Sequence, residues 1–355
     1  ELDDFTLNLL GGSVIQGDID LGIDDAKDPA LTQSYLNSLT INSMGMEENF
    51  ITGDTTNIIE GDITTGGTNE LRDVTINADQ TLSVLGELVF EAINNDDATA
   101  SLTVTGTADV MLAELNTADD DVDALNVENN GTGTLTVGID GMNIDATDSF
   151  SFTGNDTTLV VNNTVDLSMD TLDAVTMVVL EEDAVLTLDL DQADAIGAAN
   201  FVLADGANDA VLSLANLNDQ LFAVADYADG ISVDILSIEP IPVVTLNPGT
   251  NLTDIGSLIL QAGTTLNLTA AQFQQLDGTG TISGAGTVNI TDLTQADVDA
   301  GFDLSGIDND ITLTVALGED ITLAADDDLA HASVIIPGAE TLSLATYLQA
   351  NGLDV

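Results

Sequence analysis

The hydrophobic residues of this chain recur in a pattern that narrows its possible folds more than any other feature. Two apolar residues separated by one residue are followed, after five residues, by a second such pair. This alternation is typical of a short strand with one buried face, so each copy predicts strand, turn and strand. The clear copies are Val74/Ile76 with Leu82/Val84, Leu102/Val104 with Val110/Leu112, Val178/Leu180 with Leu186/Leu188, Leu258/Leu260 with Leu266/Leu268, Leu313/Val315 with Ile321/Leu323, and Val334/Ile336 with Leu342/Leu344.

Such strand pairs cannot bury their apolar face alone, so they are expected to stack on one another as coils. Successive copies begin 28, 76, 80 and 55 residues apart, close to one, three, three and two coils of roughly 25 to 28 residues. The last step, from Leu313 to Val334, is shorter and does not fit this period. The pattern predicts an all-β, right-handed parallel β-helix, that is a β-solenoid, with short corner helices. An array of β-sandwiches is the alternative.

Helical signals are few and short, and the chain contains two candidate boundaries. Helices are predicted at 113–125, 190–199, 270–276 and 324–330. Residues 1–72 carry the repeat weakly and hold both basic residues, Lys27 and Arg72, which suggests a separate cap or exchanged arm. Three prolines cluster near 239–250, a second boundary signal. The expected organisation is an N-terminal cap or arm at 1–72 and two solenoid parts at 73–238 and 239–355.

The charge balance excludes several classes of function. Against 62 acidic residues the chain has two basic ones, giving a net charge of -60. Nucleic-acid binding is excluded because phosphate contacts require many Lys and Arg side chains. A single histidine, His331, excludes multi-histidine metal sites and argues against a Ser-His-Asp triad. Because polysaccharide-cleaving enzymes also need basic residues or aromatic platforms, and aromatic residues are only 3% of the chain, no enzyme activity is expected.

The acidic residues are mostly aspartate, 48 against 14 glutamates. Aspartate suits turns, where its short carboxylate can ligate a hard cation such as calcium. Clusters at loop spacing therefore predict calcium sites, with solvated charged corners as the alternative. The candidate ligands are Asp119, Asp120, Asp121 and Asp123; Asp189, Asp191 and Asp194; Asp308 and Asp310; and Asp326, Asp327 and Asp328.

Two further features bear on binding. The motif GTGT at 131–134 and 278–281, with the threonine pairs at 64–65 and 264–265, suggests flat threonine faces of the ice-binding kind. Strand-compatible surface is the simpler interpretation. The longest uncharged run, 255–276, is interrupted by Gln, Asn, Thr and Gly and alternates with period two, so no transmembrane helix is predicted.

Several segments resemble the secreted, Asp/Thr/Gly-rich and Cys-poor surface-layer proteins and repeat adhesins that Gram-negative bacteria export by type I secretion. The segments that carry the resemblance are LTVTGTADVMLAELNTADDDVDALNV, LNLTAAQFQQLDGTGTISGAGTVNITDL and ITLTVALGEDITLAADDDL. This resemblance implies a β-solenoid body, calcium-dependent assembly and a carboxy-terminal export signal. The glycine-rich nonapeptide of calcium β-rolls is missing from this chain.

The sequence as a whole leads to one functional expectation and one alternative. We expect an extracellular or cell-surface structural protein that self-assembles through subunit edges into a layer, filament or matrix and is stabilised by calcium. Its partner is then another copy of itself, with cell-surface glycan as a second possible partner. The alternative is an adhesin or binding module that recognises glycan, ice or another cell surface.

Overall fold

A computed structural model describes the structure of most of the chain. The described residues are 4–21, 38–45, 56–64, 71–90, 98–117, 122–144, 149–215, 231–237, 243–247, 250, 252, 255–276, 281–302, 304, 307–308, 310–323, 332–337 and 340–343.

The chain divides into two compact units, each built from stacked parallel coils. Unit 1 comprises Glu1–Thr187 and Asn200–Ala210, and unit 2 comprises Leu188–Ala199 and Val211–Val355. Together they contain about nine turns of a β-solenoid. The predicted fold class is confirmed, and the parallel pairing of the described strands excludes the β-sandwich alternative, whose sheets are antiparallel. The boundaries predicted at 1–72, 73–238 and 239–355 differ from this division.

Unit 1 is formed by short strands that follow one another with brief turns. They are β1 (Asp4–Leu10), β2 (Val14–Ile15), β3 (Ile19–Asp20), β4 (Ser38–Met44), β5 (Asn57–Ile59), β6 (Ile63–Thr64), β7 (Asp73–Ala78), β8 (Leu82–Val89), β9 (Ala98–Gly106), β10 (Val110–Asn116), β11 (Val122–Asn129), β12 (Leu135–Asp140), β13 (Ser149–Gly154), β14 (Thr157–Asn162), β15 (Thr164–Asp166), β16 (Val175–Leu180), β17 (Val185–Asp189) and β18 (Phe201–Leu203).

These strands form two main sheets, because each strand pairs with its counterpart in the next coil. Sheet I has the order β1-β4-β7-β9-β11-β13, and sheet II has the order β18-β16-β14-β12-β10-β8-β5-β2. In addition, β3 pairs with β6 and β15 pairs with β17. Since β1 and β4 pair in register with β7, the segment predicted as a cap or arm contributes strands to the same sheet as the segment that follows.

Unit 2 is organised in the same way, and its described residues contain three short helices. Its elements are α1 (Leu190–Ile196), β19 (Ala210–Ala215), β20 (Ile231–Ser237), β21 (Val243–Thr245), β22 (Ile255–Leu260), β23 (Thr265–Thr269), α2 (Ala270–Phe273), β24 (Thr281–Gly284), β25 (Thr287–Leu293), α3 (Gln295–Asp299), β26 (Thr312–Leu317), β27 (Ile321–Thr322), β28 (Ala332–Ile335) and β29 (Leu342–Ser343).

Its strands also stack coil on coil. Sheet III contains β19-β20-β22-β24 and sheet IV contains β21-β23-β25-β26-β28, while β27 pairs with β29. Each of the three helices begins at a capping box, in which the cap side chain accepts from the third helical N–H and the third side chain accepts from the cap N–H. The helices are therefore specified locally, at the ends of strands.

The core lies between the sheets and is filled by alternate residues of each strand. In β7, Val74 and Ile76 are at most 1% exposed, and in β9 so is Leu102. Burying one such side chain contributes about 1.5 to 3 kcal/mol. The apolar pairs read from the sequence, as far as Leu323, are thus the inward positions, and the residues between them face out. The last copy differs, since Ile336 is 48% exposed.

The coil length varies more than the sequence indicated. In unit 1 Val74 pairs with Leu102, whereas in unit 2 Thr265 pairs with Thr287, which makes a shorter coil. The step that did not fit the predicted period is a real coil, since Val315 pairs with Val334. Within unit 1 the coil is also longer where Asp4 pairs with Ser38 and shorter where Leu135 pairs with Thr157. The regular period predicted from the sequence was therefore wrong, because corners of different length join the strands.

The helix predictions had mixed outcomes. Helices at 190–199 and 270–276 are confirmed as α1, which is followed by a 3-10 turn at Ala198–Asn200, and as α2. The helix at 113–125 was wrong, because this segment contains the end of β10 and the start of β11, where pairing between coils overrides helix propensity. The prediction at 324–330 lies outside the described residues, and α3 was missed.

Within the described residues, no helix has the length and hydrophobicity required to span a membrane.

Candidate functional site

The outward side chains of sheet I stand in columns, because its strands pair in register. Thr6 is paired with Thr40, and the same column continues through Thr75 and Thr103. Neighbouring hydroxyl groups in the column are therefore one strand spacing apart, about 4.8 Å. The acidic residues that share this face are Asp4, Asp73 and Glu128.

A second column on sheet I is a hydrogen-bonded ladder. Asn42 Nδ2 donates to Asn8 Oδ1 at 2.7 Å, and Asn77 Nδ2 donates to Asn42 Oδ1 at 2.7 Å. Thr105 Oγ1 then donates to Asn77 Oδ1 at 2.6 Å. Every member donates to the preceding coil, so the ladder has a direction and helps to fix the register of the stack. Each such bond contributes about 0.5 to 1.5 kcal/mol.

Sheet IV carries a comparable face without any charge, and we call it the neutral face. Its columns are set by the register of β21, β23, β25, β26 and β28. The neutral face consists of Val243, Thr245, Thr265, Asn267, Thr269, Thr287, Asn289, Thr291, Thr312, Thr314, Ala316, Ser333 and Ile335.

The centre of the neutral face repeats the ladder of sheet I. Asn267 Nδ2 donates to Thr245 Oγ1 at 2.9 Å, and Asn289 Nδ2 donates to Asn267 Oδ1 at 2.8 Å. Again each amide donates to the preceding coil. Along β25 the nearest acidic residue is Asp292, which follows Thr291 at a backbone irregularity with φ of 59°. Carboxylates thus flank the neutral face but do not enter it.

Sheet II presents the opposite chemistry, a set of acidic side chains held by amides. Glu87 and Glu114 are paired directly on β8 and β10. Asn116 Nδ2 donates to Glu87 Oε2 at 2.8 Å, and Asn143 Nδ2 donates to Glu87 Oε1 at 3.5 Å and to Glu114 Oε1. The N–H of Glu87 donates to Asp62 Oδ1 at 2.9 Å. Neutral amides here compensate for repulsion between like charges.

The compensation at Glu114 is incomplete. Burial raises the pKa of Glu114 most, the hydrogen bond from Asn143 lowers it, and the charges of Glu87, Asp140 and Asp62 raise it further, so that the net shift is upward. Glu114 lines an open pocket of about 170 Å³. The pocket is lined by Ala113, Glu114, Gly138, Ile139, Asp140, Val160, Asn162 and Glu181.

Asp140, on the same pocket, is bound by four neutral hydrogen bonds. Asn162 Nδ2 donates to its Oδ2 at 3.0 Å, and Asn163 Nδ2 donates to Oδ1 and Oδ2 at 2.9 and 3.0 Å. The backbone N–H of Met142 donates to Oδ1 at 2.8 Å. The pocket therefore places Glu114, whose pKa is raised, beside Asp140, whose side chain is held by four hydrogen bonds.

A third acidic group lies at the turn between β16 and β17. Asp183 raises the pKa of Asp209 through its charge, and desolvation, the charge of Glu182 and a hydrogen bond with Asp183 add to this effect. Asp183 has φ of 61°, and Glu182 Oε2 accepts from the N–H of Asn208 at 2.6 Å. The turn is held in a conformation that brings carboxylates together.

The predicted calcium ligands at the start of α1 have a capping role. Asp189 is the cap residue, and its side chain accepts from the N–H of Asp191 at 2.8 Å. Asp191 lies in the first turn, where a negative charge favours the helix dipole. Asp194 lies exposed further along the helix. Asp189 and Asp191 are therefore adjacent, while Asp194 is one turn away.

The other predicted ligands are distributed between described and undescribed segments. Asp308 Oδ1 accepts from the N–H of Asp310 at 3.4 Å in a turn. Asp123 is a half-buried residue at a register shift of β11. The predicted residues outside the described part are Asp119, Asp120, Asp121, Asp326, Asp327 and Asp328, together with His331.

In the segments that the structure describes, no group of three or more acidic or histidine side chains is arranged to hold a metal ion. Calcium binding stays a prediction.

Sequence reasoning did not find the columns or the Glu87 and Glu114 pair. The GTGT motif at 131–134 falls largely in a corner rather than on a sheet face. The usable signal was the spacing of Thr-x-Asn, which occurs at Thr6, Thr40 and Thr75 between alternating apolar residues. Glu87 and Glu114 carried no local motif, because only the register of the coils makes them neighbours.

Comparison of the chain with protein-family models, with curated proteins and with solved structures gives no match.

Proposed function

We propose that this chain is an extracellular or cell-surface structural protein whose copies self-assemble into a layer, filament or matrix. The stacked coils supply a stiff body, and calcium neutralises and bridges its acidic loops. The assembly grows by the addition of one copy to another at sheet edges.

The observation that carries the proposal is that the first strand of sheet I is built like an interior strand. Strand β1 presents Asp4, Thr6 and Asn8 in the same columns as β4 and β7. In the described part its only strand partner is β4, so its outer edge has unpaired backbone groups. A parallel strand from another copy could pair there, because an open edge is a template for a further strand.

The ladder supports the same mechanism. Asn8 accepts from Asn42 through Oδ1, and no side-chain donation by its Nδ2 is found among the described residues. All ladder members donate toward the preceding coil, so Asn8 is oriented to donate to an acceptor on an added strand. Strand β28 ends the order of sheet IV with Ser333, whose hydroxyl can accept.

The net charge explains why cations belong to the proposal. Copies carrying -60 repel one another strongly at low ionic strength. The charge of Asp183 is the main cause of the raised pKa of Asp209, and the charge of Glu87 adds to the larger effect of burial in raising the pKa of Glu114. Divalent cations would relieve this repulsion both within and between copies.

The experiment is sedimentation velocity over a range of protein concentrations, with and without millimolar calcium. We expect the wild-type chain to form large species and Thr6→Pro to stay small, because proline removes an N–H and blocks an edge strand. Thr6→Val is the matched control and should assemble. Monomers of the wild type under every condition would overturn the proposal, as would normal assembly of Thr6→Pro.

A second candidate is an adhesin that binds a surface through sheet I. The threonine column of Thr6, Thr40, Thr75 and Thr103 favours it, since a regular row of hydroxyls can meet a regular polar surface. The discriminating result is a stable monomer that is retained by ice or by an insoluble polysaccharide.

A further inference from the structure

The neutral face is unusual in this molecule because it lacks acidic residues. About one residue in six of the chain is Asp or Glu. Sheet I carries Asp4, Asp73 and Glu128 on its outer face, and sheet II carries Glu87 and Glu114. The neutral face of sheet IV has none among its thirteen residues. Another copy of the same acidic chain therefore meets less repulsion here than at the outer faces of sheets I and II.

The neutral face also exposes apolar surface at both of its outer strands. Val243 on β21 is 54% exposed, and Ile335 on β28 is 50% exposed. Threonine methyl groups lie on the strands between them. Covering this surface would remove apolar area from water, which favours association.

The polar groups of the neutral face are self-complementary. Asn267 uses one amide N–H and one oxygen lone pair in the ladder, which leaves it one N–H and one lone pair for a partner. Threonine hydroxyls can donate or accept. Two copies related by a two-fold axis can therefore place donors of one opposite acceptors of the other.

We propose that the neutral face of sheet IV is the lateral contact between copies of this chain in the assembly. This inference rests on the proposed self-assembly and names the second surface it uses, beside the strand edges. A flat neutral glycan is less well suited, because the thirteen residues of this face include no aromatic side chain and ligand sites are usually concave.

The size of the neutral face indicates how strong the contact is. Strand and residue spacings of about 4.8 and 3.3 Å give an area of roughly 350 to 400 Å². A stable standard-size interface buries roughly 800 Å² per partner. The lateral contact is thus weak in an isolated pair and becomes effective only when edge contacts align many copies.

The test places charge on the neutral face at two exposed positions outside the ladder. Val243→Glu with Thr312→Glu adds two carboxylates there. The matched control, Thr99→Glu with Asn126→Glu, adds the same charge at two exposed positions of sheet I. Assembly is followed by electron microscopy and light scattering, and the melting temperature of each variant checks folding.

We expect the Val243→Glu, Thr312→Glu variant to form narrow single filaments, or to need about tenfold more protein for lateral assembly, because like charges then face each other. The control should match the wild type. Equal behaviour of the two variants overturns the inference but leaves the proposed function in place. A wild type that never assembles overturns both. If the wild type is a monomer that is retained on a neutral polysaccharide, and the Val243→Glu, Thr312→Glu variant is not retained, the neutral face binds a glycan instead of a second copy.

A second experiment does not depend on the charged variant folding. The chain has no cysteine, so Val243→Cys introduces a single thiol on the neutral face. A flexible bis-maleimide cross-linker that spans the roughly 20 Å width of the face should give covalent dimers of assembled Val243→Cys, whereas Asn126→Cys on sheet I should not. Absence of dimers from assembled Val243→Cys, or equal yields from both variants, contradicts the lateral contact.

Discussion

Asparagine has two roles in this molecule, and the position of its side chain decides between them. On the outer faces of the sheets, residues such as Asn42 and Asn289 form ladders between coils. In the corners, Asn129 is fully buried and binds only backbone. Its Nδ2 donates to the carbonyls of Gly133 and Asp156 at 3.2 and 2.9 Å, and its Oδ1 accepts from the N–H of Gly131 at 3.1 Å.

Replacing Asn129 by alanine should therefore destabilise unit 1 strongly. Three backbone groups would lose their partner, the buried N–H of Gly131 and two partly buried carbonyls, a loss of about 2 to 4 kcal/mol. The matched control is Asn126→Ala, earlier on the same strand, where the side chain is exposed. Urea unfolding of both variants measures the difference, and equal stability would show that the corner is not held by this side chain.

The raised pKa of Glu114 makes a prediction about pH. Its carboxyl binds a proton more tightly in the folded than in the unfolded chain, so the stability it contributes is present in acid and is lost as pH rises through its raised pKa. Glu114→Gln should then stabilise unit 1 at neutral pH by less than about 1 kcal/mol and give no gain near pH 4. Thermal melts at the two pH values test this, with the exposed Glu128→Gln as control. A gain that is independent of pH would contradict it.

At the level of the elements, turns set how closely the coils approach. Gly154 ends β13 with φ of 99°, and a Cβ atom there would overlap the carbonyl oxygen of Asn129. Gly206 also has positive φ, at 96°, but has no atom within 4 Å of its Cβ position. A side chain at either position would be strained by the positive φ, but only a side chain at Gly154 would also clash with the neighbouring coil.

Gly154→Ala should destabilise unit 1 clearly more than Gly206→Ala. Both variants place a side chain in a left-handed conformation, which costs about 1 kcal/mol. Only Gly154→Ala also forces two coils apart. Melting temperatures of the two variants give the comparison, and equal losses would mean that the turn at 154 can shift without disturbing the stack.

Strands were predictable from the sequence because alternation of apolar residues is a local signal. Val74 and Ile76 were correctly read as inward residues of a strand. The sheet to which each strand belongs was not predictable from this motif. Val178 and Leu180 lie in sheet II, although the same motif at Val74 lies in sheet I. Which sheet a strand joins depends on how many residues each corner contains. For the same reason the sequence alone could not predict that Glu114 lies beside Glu87, because this pairing depends on the register between β8 and β10.

For the molecule as a whole, the dominant physical quantity is the net charge of -60. Carboxylates within a stack repel one another, and two basic residues cannot compensate 62 acidic ones. Amide groups that donate hydrogen bonds to a carboxylate, as at Asp140, reduce the repulsion locally, but they do not change the net charge. Mobile ions must therefore contribute to stability.

Stability should rise with ionic strength. The screening length falls from about 30 Å at 0.01 M salt to about 3 Å at 1 M, so repulsion between coils fades over this range. We expect the melting temperature to increase by several degrees in sodium chloride. Millimolar calcium should act at lower concentration, and ethylenediaminetetraacetate should reverse its effect. A melting temperature that does not respond to either salt would contradict the role given to cations.

Electron microscopy of the purified protein shows whether its copies self-assemble. The sample is imaged at moderate salt with calcium, and again after addition of the chelator. We expect ordered sheets or filaments that dissolve on chelation. Polymers that are indifferent to the chelator would remove calcium from the mechanism, and separate single particles under both conditions would contradict self-assembly.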